Sequence, residues 1–271
     1  MTTYGERKRG CTAMGSSVDR MEDELRALSL VEARRAGERL YAEIAARGLV
    51  VAGTSARELS DRIRDLGAAL LGPRRIAPVP RPSDPPDAAG AAAPAVPVPV
   101  GLPRWVVRSG PDTVTIDGGA PAADRPIAES DVVCVDLGRL LGAYEGGFAR
   151  TFVLGANPAR LALLRDLPAV HAAGREAYRR DPGLTGRGLY EVVAARAAEA
   201  GWELGGPHVG HLVGEPAYGG GPEGAYLWPE NDGPLRCRDG AGRRAHWVLD
   251  VHLVARDGGF GGVHRDLLDL V

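Results

Sequence analysis

Four residues in the second half of the chain have the types and spacing expected of acid–base chemistry. His208 and His211 lie three residues apart, and Asp250 and His252 lie two residues apart in an apolar run. Residues two apart on a strand share a face, so Asp250 and His252 are predicted to point the same way. Histidine carries protons near neutral pH, which suits it to proton transfer. A hydrogen-bonded structural pair is the alternative interpretation of a histidine beside an aspartate.

A fifth candidate, Asp136, lies in a predicted β-hairpin. The apolar run Asp131–Gly138 predicts a strand, and Ala149–Leu154 predicts its partner after a turn. With its Asp-Leu-Gly motif, a following aromatic residue and Arg150-Thr151, this hairpin resembles the metal-binding hairpin of the pita-bread metallopeptidases. That family includes methionine aminopeptidase, Xaa-Pro peptidases and creatinase. The resemblance covers about residues 104–271 and implies an α+β fold with pseudo-twofold halves and a curved antiparallel sheet.

The resemblance also implies a ligand set. The family binds two divalent ions with two aspartates, one histidine and two glutamates, because hard cations prefer several carboxylates. Asp136 matches the first aspartate and His211 matches the histidine. Gly147 stands where the second aspartate is expected, Asp250 where the first glutamate is expected, and Arg265 where the last glutamate is expected.

These departures change the charge of the predicted site. Asp136, Asp250 and Arg265 sum to −1, whereas the four carboxylates of the family sum to −4. A guanidinium repels a nearby dication and pairs readily with carboxylates. We therefore predict that Arg265 replaces the metal charge and pairs with Asp136 or Asp250. A single weakly bound manganese, cobalt or zinc ion on Asp136, His211 and Asp250 is the alternative, and a one-residue shift of register would turn Asp266 inward instead.

Other residues are candidates for substrate binding or catalysis without metal. Creatinase shows that this fold can use histidine in place of a metal, so the resemblance implies acid–base roles for His208, His211 and His252, with Asp136 and Asp250 beside them. Arg265 would bind a substrate carboxylate or stabilise developing negative charge. Glu145 and Glu215 are candidate carboxylate partners.

Helices and strands that could position these residues follow from periodicity. Helices are predicted over Met21–Arg47, Ser55–Leu71, Pro158–Arg180 with a kink or break at Pro168, and Leu189–Ala200. Further strands are predicted at Trp105–Val107, Thr113–Ile116, His246–Val254 and Val263–Val271. We expect one domain over residues 20–271, with a mobile tail at 1–19 and a proline-rich loop or insertion at about 77–103.

Composition excludes several classes of function. A formal net charge of −2 gives no strong field for nucleic acid or a membrane surface. The first ten residues are polar with no apolar segment behind them, and no run approaches the length of a membrane span. The three cysteines have no metal-binding spacing. We expect a cytoplasmic protein without nucleic-acid or membrane partners. The sequence leaves the oligomeric state open, with a homodimer as one alternative because this fold often dimerises.

Three functions are compatible with these observations. The leading hypothesis is a diverged enzyme that has lost the dinuclear centre. It would act on a small amino-acid-like or peptide-like substrate through histidine, aspartate and arginine chemistry, as a metal-independent hydrolase, lyase or cyclase-like enzyme of specialised metabolism. The second is a metal-dependent aminopeptidase or Xaa-Pro peptidase with a degenerate one-metal site. The third is a non-catalytic binding protein.

Overall fold

The computed structural model describes residues 17–71, 106–115, 124–141, 144–214 and 223–270. Its helices in these ranges are α1 (Ser17–Ala46), α2 (Ala56–Leu71), α3 (Pro158–Arg180) and α4 (Gly186–Glu199). Helix α2 begins after Ser55, whose hydroxyl accepts a hydrogen bond from the Glu58 amide. Helix α3 begins after Asn157, whose side chain accepts from two amides of the first turn. Such caps satisfy amides that a helix leaves unpaired. None of these described helices is long and apolar enough to cross a membrane.

The strands form one antiparallel sheet. In the described ranges they are β1 (Val106–Ser109), β2 (Val132–Leu141), β3 (Tyr144–Val153), β4 (Glu203–Leu204), β5 (Gly210–Leu212), β6 (Trp247–Val254) and β7 (Gly261–Leu267). Their order across the sheet is β1-β2-β3-β7-β6-β4, and β5 pairs with β6. The hairpins β2–β3 and β6–β7 meet where Ala149 pairs with Arg265. Strands from both halves of the chain therefore share one surface.

Each half of the chain buries its own apolar cluster under a pair of helices. Helices α1 and α2 contribute Leu40 and Ile63 to a cluster that includes Val135 of β2. Helices α3 and α4 contribute Leu167 and Val193 to a second cluster, together with Leu249 of β6. Two helices followed by a strand hairpin thus occur twice in sequence order, which confirms the predicted α+β fold with its two similar halves and curved antiparallel sheet.

Parts of the predicted domain plan fall outside the described residues. Helix α1 begins at Ser17, so residues 17–19, which were predicted to belong to the tail, are helical. The remainder of the predicted tail and the whole proline-rich segment at 77–103 lie outside the described ranges.

Two local predictions need correction. Helix α3 continues through Pro168, so the helix does not break there, and a kink at Pro168 stays a prediction. The proline removes one hydrogen bond to the carbonyl of Leu164, but both residues lie on the exposed side of the helix, where water can satisfy that carbonyl. The predicted strand Thr113–Ile116 is also wrong at its start, because Gly110–Thr113 forms a 3₁₀ helix. Gly110 adopts a φ of 56°, which turns the chain out of β1.

Tyr41 of α1 ties this helix to the centre of the β2–β3 hairpin. Its hydroxyl lies 2.7 Å from the carbonyl oxygen of Phe148 and 3.1 Å from that of Val135. The hydroxyl is fully buried, and burial raises the pKa of Tyr41 well above its ordinary value. The contact therefore holds α1 against the strands that carry Asp136 and Gly147.

We expect Tyr41→Phe to lower the free energy of unfolding by about 1–3 kcal/mol, because the one hydrogen bond that the hydroxyl donates to a buried carbonyl is lost. Urea denaturation measures the change. Tyr190→Phe is the matched control, since no described residue hydrogen-bonds the Tyr190 hydroxyl, and it should change stability little. Equal effects of the two substitutions would contradict the assignment.

Candidate functional site

The candidate site is a row of residues that crosses four neighbouring strands. Asp136 pairs with Ala149, Ala149 with Arg265, and Arg265 with Asp250. Directly paired residues of an antiparallel sheet project from the same face, and neighbouring strands lie about 4.8 Å apart. Register alone therefore places three charged side chains beside one another on the face opposite the helices, which we call the site face.

Arg265 joins the two carboxylates of this row. Its Nη1 donates to Asp136 Oδ2 at 2.7 Å. Its Nε and Nη2 both lie against Asp250 Oδ2, at 2.8 and 2.6 Å. The Arg265 side chain is only 3% exposed. The predicted pairing with Asp136 or Asp250 is thus present with both, and the guanidinium is committed to these carboxylates rather than presented to solvent.

Gly147 gives Arg265 the space it occupies. A Cβ atom at position 147 would lie 3.0 Å from Arg265 Cδ and 3.5 Å from its Nη1. The first of these distances is tighter than an ordinary van der Waals contact, and the second is an ordinary contact. The two positions where the sequence departs most from the metallopeptidase pattern are therefore in contact, and the arginine fills the volume that a side chain at 147 would need.

His211 lies on β5 with one ring nitrogen bonded and the other open. Its Nδ1 is 3.1 Å from the carbonyl oxygen of Leu212, which makes Nδ1 the protonated nitrogen. Its Nε2 is buried and has no hydrogen-bond partner. Burial, and then the charge of Arg265, lower the pKa of His211 to about 4. The neutral ring therefore presents an Nε2 lone pair at neutral pH.

Asp250 offers a second unsatisfied acceptor. Its Oδ2 is held by Arg265, whereas its Oδ1 is buried without a hydrogen-bond partner. Burial opposes ionisation of this carboxyl, but the charge and hydrogen bonds of Arg265 outweigh it, and the pKa is lowered. Asp250 also acts electrostatically on His211. Buried acceptors without donors cost free energy, so Asp250 Oδ1 and His211 Nε2 together favour a donor group or a cation.

The other two candidate histidines are held differently. His252 Nε2 lies 2.9 Å from the carbonyl oxygen of Thr113, and a Cβ on Gly205 would overlap the His252 ring. His252 is thus packed against the turn that follows β1. The His208 ring lies 5.0 Å from that of Tyr226, and its charge acts on His211.

Asp266 points away from the site face, so in β7 Arg265 and not Asp266 faces the site. Its carboxylate accepts from Arg34 Nε at 3.0 Å and from Arg150 Nη2 at 2.6 Å. His264, two residues earlier on β7, stacks on His171 of α3 with ring centroids 4.6 Å apart. Alternation along β7 therefore puts Arg265 on the site face and Asp266 and His264 beneath the helices. Arg34 and Arg150 were not recognised from the sequence as partners of Asp266.

The donor set does not fit a pair of metal ions. One oxygen each of Asp136 and Asp250 is paired with Arg265, and Gly147 supplies no ligand. Within the described ranges, no group of three His, Cys, Asp or Glu residues is arranged to hold a metal ion. The open acceptors of His211 and Asp250 suit at most a weakly held single ion. The side chain of Glu145 and the whole of Glu215 lie outside the described part of the chain.

A curved antiparallel sheet with two helix pairs on one side and a carboxylate–histidine row on the other defines a protein of the pita-bread metallopeptidase class. The sequence profile of metallopeptidase family M24 matches residues 30–236. The chain therefore belongs to metallopeptidase family M24, whose members usually use divalent metals. The matched range includes Gly147 and His211 and ends before Asp250 and Arg265. A search of curated proteins finds no match.

Solved structures with a similar fold include three peptidases. An X-Pro aminopeptidase from Thermotoga maritima MSB8 has a TM-score of 0.62 and 18% identity, over 94% of this chain and 64% of that one. A prolidase from Pyrococcus furiosus has a TM-score of 0.60 and 19% identity, over 92% and 64%. A methionine aminopeptidase from Rickettsia prowazekii has a TM-score of 0.60 and 14% identity, over 92% and 98%. This chain spans 64% of the length of the first two, and at these identities the similarity is one of fold.

Acid should destabilise the protein through its buried neutral histidines. Burial lowers the pKa of His171 to about 4, whereas an unfolded histidine titrates near 6.5. The unfolded chain therefore binds protons first as pH falls, and stability present above about pH 6.5 is lost as the pH approaches 4. We expect His171 to account for about 2 kcal/mol of the loss between pH 7.5 and 4.5.

Urea denaturation of wild type and His171→Phe at both pH values measures this loss. The substitution keeps a ring against His264 but cannot titrate, so the difference between the two pH values should shrink in the variant. The measurement at pH 7.5 is the internal control, because His171 and His264 are both neutral at that pH. A pH dependence identical to that of wild type would show that His171 is not held neutral.

Proposed function

We propose that this chain is a divergent M24 protein in which Arg265 replaces the dinuclear metal centre, and that its site acts on a small amino-acid-like or peptide-like molecule. The observation that carries the proposal is the buried guanidinium of Arg265, bonded to Asp136 at 2.7 Å and to Asp250 at 2.8 Å. The same two carboxylates correspond to metal ligands of the family. A positive charge is thus already fixed between them.

Electrostatics supports this proposal over a two-metal enzyme. A dication placed between Asp136 and Asp250 would lie within a few ångströms of the guanidinium, and repulsion at that distance is strong where water is excluded. Displacing Arg265 would leave its charge buried without partners, at a cost of several kcal/mol. A Cβ atom at position 147 would also lie 3.0 Å from Arg265 Cδ, so a side chain there requires Arg265 to shift.

The proposed chemistry rests on the two open acceptors. His211 Nε2 and Asp250 Oδ1 would receive N–H donors from a substrate amine or amide, which would satisfy both buried atoms. His211 is then the proton acceptor, with Asp250 orienting the donor and Asp136 keeping Arg265 in place. His208 lies close enough to act on His211 electrostatically. His252 is assigned a positioning role because of its bond to the Thr113 carbonyl.

The role proposed for Arg265 differs from the one expected from the sequence. Direct binding of a substrate carboxylate was expected from the sequence, but both of its pairings are internal and its side chain is 3% exposed. We assign it the role of an internal cation. Five features stay predictions: the reaction type within the hydrolase, lyase or cyclase-like group, a short-peptide substrate, a place in specialised metabolism, a homodimer and a cytoplasmic location.

A one-metal peptidase is the second candidate function. It is favoured by the same unsatisfied atoms, because a neutral histidine nitrogen and a carboxylate oxygen are both metal ligands. The similar solved structures include an X-Pro aminopeptidase and a prolidase. Asp266, which could have completed such a site, is bonded to Arg34 and Arg150 on the opposite face of the sheet.

Metal content tests the replacement directly. Protein purified without chelator and incubated with manganese, cobalt or zinc should hold close to no metal by inductively coupled plasma mass spectrometry. Arg265→Glu combined with Gly147→Asp should bind metal, because the cation is removed and two carboxylates are added. Metal at 100 times its Kd should then raise the free energy of unfolding of the double variant by about 2.7 kcal/mol.

The single variants are the controls for that experiment. In Gly147→Asp alone the new side chain meets Arg265, and Arg265→Glu alone lacks one ligand. Neither single variant should therefore bind metal as tightly as the double variant. A tightly held ion in wild type would overturn the proposal and favour the one-metal peptidase. No gain of metal affinity in the double variant would show that positions 147 and 265 do not correspond to the family's ligands.

Turnover separates the candidate functions. Under the proposal, processing of amino-acid amides or Xaa-Pro peptides persists in EDTA, and His211→Gln slows it by about 100-fold, as expected for loss of a proton-transfer residue. His171→Phe, on the opposite face of the sheet, should keep wild-type turnover at pH 7.5. Activity abolished by EDTA would favour the one-metal peptidase, and absence of turnover on every substrate class would favour a non-catalytic binding protein.

A further inference from the structure

Side chains, rather than a continuous backbone ladder, bind the edge of β7 that faces β3. Within the described ranges, the backbone register between these two strands pairs only Ala149 with Arg265, whereas β7 pairs with β6 along its whole length. A buried amide or carbonyl must find another partner where a ladder partner is missing. In an antiparallel sheet, alternate residues direct these groups to the same neighbouring strand, so the groups in question belong to alternate residues of β7.

Thr151 of β3 supplies both partners of Val263. Its Oγ1 donates to the Val263 carbonyl oxygen at 2.9 Å and accepts from the Val263 amide at 2.7 Å. Thr151 is 8% exposed and Val263 is 1% exposed, so both bonds are buried. Thr151 is two residues from Ala149 along β3, so its side chain lies on the site face. One hydroxyl therefore takes the place of a backbone pair at Val263.

Arg150 binds the next alternate residue of β7 from the opposite face. Its Nη1 donates to the carbonyl oxygens of Ala149 and Arg265, at 3.0 and 2.6 Å, and so joins the backbone pair of the two strands. Its Nη2 donates to Asp266 Oδ2 at 2.6 Å. Its guanidinium carbon lies 5.4 Å from the centroid of the Tyr41 ring. Arg150 therefore holds β7 from beneath the helices, at residue 265 itself.

Thr113 fixes the start of β7 in a similar way. Its Oγ1 accepts from the Gly261 amide at 2.9 Å and donates to the Gly110 carbonyl at 2.6 Å. Gly261, Val263 and Arg265 are alternate residues, so side chains bind three successive positions on one edge of β7. A shift of β7 by one residue would place these side chains opposite residues whose backbone groups point to β6. The contacts are therefore specific to the observed register.

Charge opposes the same shift. Arg265 and Asp266 are neighbours of opposite charge that face opposite sides of the sheet. A one-residue shift would bring Asp266 to the carboxylates of Asp136 and Asp250. It would also bring Arg265 to Arg150 beneath the helices. Like charges would then meet on both faces, which is costly where water is excluded. The register of β7 thus decides the sign of the charge that this strand contributes to the site face.

We propose that Thr151 and Arg150 are positioning residues that fix the register of β7, and that they thereby select an internal cation rather than a third carboxylate for the site. The inference rests on the proposed function for the role of Arg265 and adds the two residues that hold it. Thr151 acts from the site face and Arg150 from the helix face. Removal of either side chain leaves β7 held at this point from one face only.

Proton exchange at Arg265 tests the inference, because its Nε–H donates to Asp250 Oδ2 at 2.8 Å in a buried site. In ¹⁵N NMR spectra of wild type this proton should exchange slowly, and Arg265→Lys identifies its signal. Thr151→Val removes the hydroxyl at nearly constant volume. It should speed exchange of the Arg265 Nε proton and of the Val263 amide by about 10-fold to 100-fold. Thr151→Ser keeps the hydroxyl and should keep both rates close to those of wild type.

Thr54→Val is the matched control for Thr151→Val. Thr54 is also buried, and in the part of the chain that the structure describes its hydroxyl has no hydrogen bond. The control should leave exchange at Arg265 unchanged. Equal effects of the two valine substitutions would show a general loss of stability and would overturn the inference. Unchanged exchange at Arg265 in Thr151→Val would overturn it as well.

Arg150→Lys is a milder variant that tests the second residue. Lysine keeps a positive charge beside Asp266 but lacks the planar fork that reaches two carbonyls and a carboxylate. Exchange of the Arg265 Nε proton should become faster, whereas the Val263 amide should stay protected because Thr151 still binds it. Loss of protection at both positions, or at neither, would contradict the separate roles assigned to the two residues.

Metal affinity gives a readout that separates position from stability. In the Arg265→Glu and Gly147→Asp double variant, adding Thr151→Val should weaken manganese binding by about 10-fold to 100-fold, as is usual when a residue that orients a ligand is lost. Adding Thr151→Ser should not. Equal affinity with valine and serine at 151 would overturn the inference. A double variant that binds no metal would contradict the proposed function alone, since the exchange rates at Arg265 decide the inference independently.

Discussion

A buried guanidinium between two carboxylates determines the arrangement of the site face. Arg265 comes from the last strand of the chain, Asp136 from the first hairpin and Asp250 from the strand beside β7, so the three charges join both halves of the fold. Two of these charges would repel each other without the third. The sheet register brings them together, and the arginine reduces the net charge of the group from −2 to −1.

The opposite face of the same strands carries an independent network. Asp266 and His264 alternate with Arg265 along β7 and meet Arg34, Arg150 and His171 beneath the helices. A single strand thus supplies an internal cation to one face and an internal anion to the other. Each charge is paired on its own side of the sheet. The site face and the face beneath the helices therefore carry separate charge networks.

Local patterns in the sequence predicted much of this structure. They could not predict contacts between residues that are distant in the sequence. Periodicity predicted all four described helices, and the Asp-Leu-Gly hairpin predicted the fold. The arginine at position 265 predicted a pairing with Asp136 or Asp250, but not that both carboxylates bind it. The bond between His252 and Thr113 and the partners of Asp266 join residues more than 100 positions apart, and no local signal marks them. A break at Pro168 was not confirmed, because the cost of a proline inside a helix depends on whether the freed carbonyl is exposed.

The contact between Gly147 and Arg265 constrains how such a site can change over generations. An aspartate at 147 would press on the Arg265 side chain, with its Cβ 3.0 Å from Cδ, and a glutamate at 265 would leave three acids with no cation among them. The effect of a substitution at either position therefore depends on the residue at the other, as expected for two side chains in contact. Positions 147 and 265 thus act as one coupled unit, and a change of charge at this site is expected to involve both.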